Sequence, residues 1–363
     1  MKIGIIGADL SGNLGAEAML LRLVEILKDK LGAISLIIET TSVLPPSKKN
    51  MEGIDITFSR FTPKKIFKPY DISFKECEYI IDIGGLAYAT SPKDSLRNLI
   101  RHGYFIIRRK KLIFYTQDFG PAQNILTRMI GRFVLNRAHF IFPRSKKSFN
   151  RLVETFGVRN YKIYNESPDI TINLKQSNLD KTSIPKDAII ISPSAILFNQ
   201  IGQKYIEFII DLISFFSDRP VFLLNHCYTK NDKISDQYVI DLIASKVKNI
   251  SIISPDYDVK DLKAIFSNSL LVLTSRYHVL VGSVSVNTPS FCIGWNSKYE
   301  EFLKLYDRTT YELSVNDLNG AYSEITSVIN DIDNERRHLD NINKINSSLV
   351  CLGENKLCSI LKK

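Results

Sequence analysis

The sequence lacks what several protein classes require. Its five cysteines (Cys77, Cys227, Cys292, Cys351 and Cys358) are odd in number and scattered, with no CxxC pair. Neither a disulfide framework nor a zinc site is indicated. No apolar run approaches the roughly 18 residues that a membrane-spanning helix needs. The opening MKIGIIGADLSG reads as a strand and a glycine turn, without the basic, apolar and small-residue regions of a secretory leader. A soluble cytoplasmic protein is the expectation. There is no P-loop, HExxH, GxSxG or EF-hand pattern. No zinc finger, RNP-like aromatic motif or basic recognition helix points to nucleic acid.

What is present is an ordinary globular mixture, 44% hydrophobic and 24% charged, over 363 residues. At roughly 100–200 residues per domain, two domains are expected. Apolar strands alternate with helical stretches. Strands are read at KIGIIG, ISLIIE, EYIIDIGG, KKLIFYTQDFGP and HFIFPR, with helices over about 15–30, 122–137 and 146–156. A polar stretch over 173–187 reads as a linker, after which the alternation restarts. Strands follow at AIIISPS, PVFLLNH, NISIISP, SLLVLTSR and TPSFCIGW, with helices over about 201–216, 235–246, 258–266 and 278–286 and a short one from about 297. Such strands form parallel sheets buried on both faces. The expected fold is α/β, two Rossmann-like domains facing a cleft. Their spans are 1–175 and 188–330, and a helical segment over 331–363 packs back. Ligands of these sheets bind beyond the carboxyl ends of the strands. That rule selects Asp9 to Glu17, Gly84, Gly85, Asp118 to Gly120, Arg144, Ser192 to Ser194, Asn225, His226, Ser275 to His278 and Trp295 to Lys298.

Charge is unevenly spread. Residues 1–175 hold 28 Lys/Arg against 16 acids, and the remainder 20 against 22. Residues 93–151 alone hold fourteen Lys/Arg against Asp94 and Asp118. A basic segment interleaved with Leu, Ile and Phe suits an interfacial membrane surface. It is equally read as a solvated, merely basic face.

Local motifs each admit a functional and a structural reading. SRYH (275–278) places an Arg at a strand end beside a helix start, which suits a phosphate or carboxylate. His278 then stands ready to exchange a proton near neutral pH. The structural alternative is a helix-start Ser275 with a packed Arg276 and His278. GNLGAE (12–17) opens the first helix with glycines, as an anion site or a tight strand-to-helix turn. Arg144 and His226 end strands, as ligand contacts or as packed residues. The DYD stretch (256–258) reads as metal-dependent sugar transfer or as a helix start favoured by negative charge.

Taken together, these blocks resemble the polysaccharide pyruvyl transferase family over about residues 3–305. GNLGAEAML is similar to that family's Gly-Asn-x-Gly-Asp-Glu block, DIGGL to its glycine triplet and TQDFGP to its Gly-Gln-x-x-Gly-Pro block. PRSKKS resembles the Arg-x-x-x-Ser block, SPDITINL the Pro-Asp block through Pro168 and Asp169, and LLNHCYTKND a His-to-Asp block through His226 and Asp232. SRYHVLVGSVSVNTPSFCIGWNSKY resembles the signature Ser-x-Arg-x-His block with its downstream Pro and Lys. Ala16, Leu86 and Thr116 depart from the family pattern, standing in place of Asp, Gly and Gly.

The resemblance implies a GT-B-like fold and transfer of a pyruvyl ketal from phosphoenolpyruvate to a sugar of a cell-surface polysaccharide or its lipid-linked precursor. No metal or cofactor is implied. His278 and Arg276 are the implied catalytic pair. Arg144, Arg276, Tyr277, Ser275, His226 and Lys298 would bind the donor. Gly12, Asn13, Gly15, Glu17, Gly84, Gly85 and Asp118 would bind the acceptor. The enzyme would work at the inner face of the plasma membrane, in contact with anionic lipid. A GT-B nucleotide-sugar glycosyltransferase and a non-catalytic binder of anionic glycan or lipid are the rival readings.

Overall fold

A computed structural model describes residues 1–8, 12–32, 34–40, 54–72, 74–89, 91–165, 167–178, 184–228, 235–248 and 250–363. Asp9, Asp232 and the middle of the expected linker lie outside the described residues. The chain divides into two compact units. One comprises residues 1–11, 19–170 and 348–363; the other comprises 12–18 and 171–347. This partition differs from a simple split near residue 175. The glycine-rich segment 12–18 belongs with the C-terminal half, and the end of the chain is shared between the units.

The first unit is built on β1 (Lys2–Ile6), α1 (Leu14–Leu31, its first turn counted with the other unit), β2 (Ser35–Thr40), β3 (Asp55–Arg60) and β4 (Tyr79–Asp82). It continues through β5 (Leu86–Ala87), α2 (Pro92–Ile107), β6 (Lys111–Phe119), α3 (Ile125–Leu135), β7 (Phe140–Pro143) and α4 (Lys146–Glu154). The strand order is β3-β2-β1-β4-β6-β5, with β7 also on β6, and every pairing is parallel. Covered on both faces, β1, β4 and β6 are almost wholly buried, which explains their continuous apolar sequence. Ser91, Asn124 and Ser145 cap α2, α3 and α4 by accepting from backbone N–H groups of the first turn.

The second unit carries β8 (Ile189–Ser192), α5 (Ala195–Ile201), α6 (Gln203–Phe215), β9 (Val221–Leu223), α7 (Asp236–Ala244) and β10 (Ser251–Ile252). After these come α8 (Val259–Asn268), β11 (Leu271–Thr274), α9 (Tyr277–Val284), β12 (Ser290–Cys292), α10 (Ser297–Lys304), α11 (Leu318–Asn330) and α12 (Ile332–Leu361). Its sheet is parallel throughout, in the order β10-β9-β8-β11-β12. The order reverses between β8 and β11, so the loops that follow them leave toward opposite faces and open a crevice at the strand ends. Each unit is thus Rossmann-like, as the alternation of strands and helices predicts.

Candidate functional site

The crevice of the second unit receives SRYH. Ser275 and Arg276 occupy the turn from β11 into α9. Ser275 is buried, and its backbone and side chain are both held. Its N–H donates to the Ser192 carbonyl at 3.0 Å, and its carbonyl accepts from the Tyr299 hydroxyl at 2.7 Å and Trp295 Nε1 at 3.3 Å. Its Oγ accepts from the Tyr205 hydroxyl at 2.8 Å, and that hydroxyl accepts from the Ser194 N–H at 3.0 Å. Ser275 is therefore a positioning residue that fixes where Arg276 begins.

Arg276 Nε donates to Asp236 Oδ1 at 3.1 Å, and Nη2 donates to the same oxygen. Asp236 is fully buried at the start of α7 and also accepts from the Ala195 N–H at 3.0 Å. Burial pushes the Asp236 carboxyl above the usual aspartate range, although Arg276 opposes the shift. The pair fixes the guanidinium plane in the crevice. Sequence reading missed Asp236. Its only signal was an acid in the first turn of a helix, which the helix dipole alone accounts for.

His226 and His278 lie near Arg276, and burial, then Arg276 and His278, hold the His226 imidazole well below its ordinary value of 6.5. His226 is thus neutral at physiological pH. The segment 12–18 is pinned against the same histidines. Tyr228 N–H donates to the Gly12 carbonyl at 2.7 Å, Leu14 N–H donates to the His226 carbonyl at 3.3 Å, and Asn13 pairs with Cys227 in an antiparallel bridge. Gly15 packs on the His278 ring so closely that a Cβ there would stand 2.3 Å from Nδ1. Gly12, at φ +98°, would bring a Cβ within 2.5 Å of the Tyr228 carbonyl oxygen. The two glycines are therefore required for contact with the histidine-bearing loops. Asn13 caps α1, its Oδ1 accepting from the N–H groups of Gly15 and Ala16. Glu17 is partly buried, and burial, then Asp258, raises its carboxyl above the usual range.

Lys298 stands over three aromatic rings, with Nζ 4.8 Å from the Trp295 centroid, 5.0 Å from Tyr277 and 5.5 Å from Tyr299. Tyr277 is buried and carries this cation beside the Arg276 turn. His226 and His278 also border a cavity of about 20 Å³. That is the volume of roughly one water.

The expected acceptor set divides between the units. Gly12, Asn13, Gly15 and Glu17 join Arg276 and the histidines in the second. Gly84, Gly85 and Asp118 lie in the first, where Gly84 N–H donates to Asp82 Oδ1 at 2.8 Å.

Arg144 and Asp118 pair with each other in the first unit. Arg144, only 3% exposed, donates from Nε and Nη2 to Asp118 Oδ2, from Nη1 to Asp169 Oδ2 at 2.9 Å, and from Nη2 to the Gly85 carbonyl at 3.0 Å. Asp118 Oδ1 accepts from Ser145 and Ser148. Burial opposes ionisation of Asp118, but Arg144 and the two serines outweigh it and lower its carboxyl. The Arg144 guanidinium is thus shared between two carboxylates of its own unit. Arg144 is a structural keystone of the first unit, and both Asp118 oxygens accept within it.

The DYD stretch begins a helix: Asp258 caps α8 reciprocally with Asp261. Among the described residues, no group of three or more His, Cys, Asp or Glu is placed to hold a metal, and no helix is long and apolar enough to cross a membrane.

A family model described as polysaccharide pyruvyl transferase matches residues 13–297. No curated protein matches the chain at a significant level. Among solved structures, a protein described as UDP-N-acetylglucosamine 2-epimerase from Listeria monocytogenes superposes with TM-score 0.68 at 12% identity, covering 99% of this chain and 95% of that one. The UDP-GlcNAc 2-epimerase from Neisseria meningitidis bound to UDP-GlcNAc gives 0.58 at 12% identity, over 97% and 100%. A glycosyltransferase from Rickettsia africae gives 0.59 at 14% identity, over 99% and 97%. At these identities the likeness concerns the fold, which is the GT-B type. The family match spans SRYH, the glycine-rich segment and the loops they meet, and by it the chain belongs to the polysaccharide pyruvyl transferase family.

Proposed function

We propose that the protein transfers a pyruvyl group from phosphoenolpyruvate to two hydroxyls of a sugar in a cell-surface polysaccharide or its lipid-linked precursor. The observation that carries this is the meeting of Arg276, His226, His278 and the 12–17 segment at the strand ends of one unit. Phosphoenolpyruvate is small and multiply anionic, and it needs cations with fixed geometry. Arg276, oriented by Asp236, and Lys298, held over its rings, supply them.

The chemistry begins with protonation of the donor's methylene carbon by His278. Positive charge develops on the adjacent carbon, which a sugar hydroxyl attacks. Inorganic phosphate leaves, and the second hydroxyl closes the ketal. Glu17, made more basic by burial, accepts the first hydroxyl's proton and returns it to His278, and the second hydroxyl's proton leaves on the phosphate. The scheme calls for no metal or organic cofactor.

Two measurements test it. Calorimetric titration should show phosphoenolpyruvate binding that Arg276→Lys weakens about tenfold or more, since an ammonium does not reproduce the guanidinium fork. His278→Ala should bind donor yet release inorganic phosphate about 10²–10⁴-fold more slowly with a lipid-linked glycan extract as acceptor. Binding of UDP-, GDP- or CMP-sugars with none of phosphoenolpyruvate would favour glycosyl transfer on this fold. Undiminished phosphate release by the His278 variant removes the acid role.

A further inference from the structure

The first unit carries an exposed apolar surface built from three separate segments. The loop after β3 is closed at its base by the antiparallel bridge Phe61–Tyr70 and raises Phe67, 91% exposed, at its tip. The end of α2 presents Ile107, 80% exposed. On α3, Ile125, Met129 and Phe133 follow at four-residue spacing as one outward stripe, with Ile125 70% exposed. Phe67, Ile107 and Phe133 line a common apolar groove of about 540 Å³. Phe67, Tyr104 and Arg108 also line an adjoining groove of about 630 Å³, whose other walls include Lys68, Lys75 and Lys110, with Asp71 the acid there. Both volumes fall in the range of ligand-sized sites.

Charge around this surface is almost of one sign. The loop brings Lys64, Lys65 and Lys68, and α3 adds exposed Arg128 and Arg132 and contains no acid. Not every basic residue of 93–151 takes part: Arg101 is held by Glu39 and Arg144 by its two aspartates. The loop, in turn, lies outside that segment and was not anticipated from it. An apolar stripe rimmed with Lys and Arg, and an apolar groove continuing into a basic one, match a bilayer boundary, where acyl chains meet anionic headgroups.

We propose that this face docks the protein on an anionic phospholipid bilayer. Phe67, Ile107 and the α3 stripe enter the acyl boundary, and the lysines of the loop and of the adjoining groove meet headgroup phosphates. The proposal deepens the lipid-linked acceptor of the preceding reading, but its test uses neither donor nor acceptor, so either stands or falls alone.

Sedimentation with vesicles of phosphatidylcholine alone, or with about 30% phosphatidylglycerol, provides the test. The protein should bind the anionic vesicles only, and 0.5 M salt should release much of it, on the order of a several-fold loss. Phe67→Asp combined with Ile107→Asp should weaken binding about tenfold or more. Lys64→Glu with Lys65→Glu, on the exposed loop, should weaken it independently of any effect of the first pair on folding. Absence of binding to anionic vesicles overturns the proposal, as does binding that neither pair changes. A concentration-dependent dimer that the Phe67 and Ile107 changes dissolve, without vesicle binding, assigns the face to a second copy of this chain instead.

Discussion

Thr116 adopts φ +49° within β6, where the register on β7 shifts between Phe114 and Gln117. It is fully buried, and its Oγ1 has no hydrogen-bond partner among the described residues. A β-branched residue in the left-handed region costs about 1–2 kcal/mol, and an unsatisfied buried hydroxyl about 1–3 kcal/mol. Glycine at this position loses about 0.5–1 kcal/mol in chain entropy and roughly 1.6 kcal/mol for the two buried carbons, Cβ and the methyl. Thr116→Gly should therefore stabilise the protein by about 1 kcal/mol in urea unfolding. A glycine variant less stable than the parent contradicts this account. The sequence showed that a family glycine is replaced here, but not that the backbone beneath it is left-handed. Gly12 and Gly15 were legible as a ligand turn, whereas their partners, the Tyr228 carbonyl and the His278 ring, come from more than 200 positions away and leave no local pattern.

At the scale of elements, buried strands and their following helices were readable because parallel strands covered on both faces are continuously apolar. What was lost has particular causes. The helix read over 201–216 is α6, whereas α5, set off from it by Gly202 at φ +64°, is too short to show a period of its own. β3, with the sequence DITFSR, is an edge strand with only one residue buried, so its polarity hid it. The basic residues of α2 mask its helical pattern, despite Ser91 and Pro92 at its start. The Asp118–Arg144–Asp169 trio joins the end of β6, the residue after β7 and the residue before the 3-10 turn at Ile170–Asn173, three places whose proximity no spacing announces. Removing one partner of a buried ion pair costs about 3–5 kcal/mol. Arg144→Met should destabilise the first unit by that amount and accelerate hydrogen exchange in β6 and β7. Protection in β11 and α9 should change little. If the variant is as stable as the parent, the keystone role is wrong and Arg144 returns as a candidate for ligand binding.

For the whole molecule, buried titratable groups set two separate acid limits. In the first unit, burial opposes ionisation of Asp82 and Asp118, but His102 and Arg144 respectively prevail, and both carboxyls lie below the ordinary 3.8. Their stabilisation is complete above that value and disappears as pH falls through the lower folded-state values. In the second unit, His226 is depressed from 6.5 by burial, Arg276 and His278. Above pH 6.5 it is neutral in both folded and unfolded chains and contributes nothing. Below 6.5 the unfolded chain binds the proton first, so stability falls with pH at up to about 1.36 kcal/mol per unit. His139 of the first unit is shifted the same way, but it is exposed and should contribute less. The chain's one tryptophan, Trp295, lies in the second unit and reports on it alone. Urea unfolding followed by tryptophan fluorescence should therefore show stability declining between pH 6.5 and 5, well before the carboxylates titrate. His226→Gln, which keeps a polar side chain but takes up no proton, should flatten that decline, and His139→Gln should leave the fluorescence-detected slope nearly unchanged. Equal slopes for the parent and the His226 variant would mean that His226 is not buried beside the Arg276 cation, and the cluster on which the donor site depends would have to be redrawn.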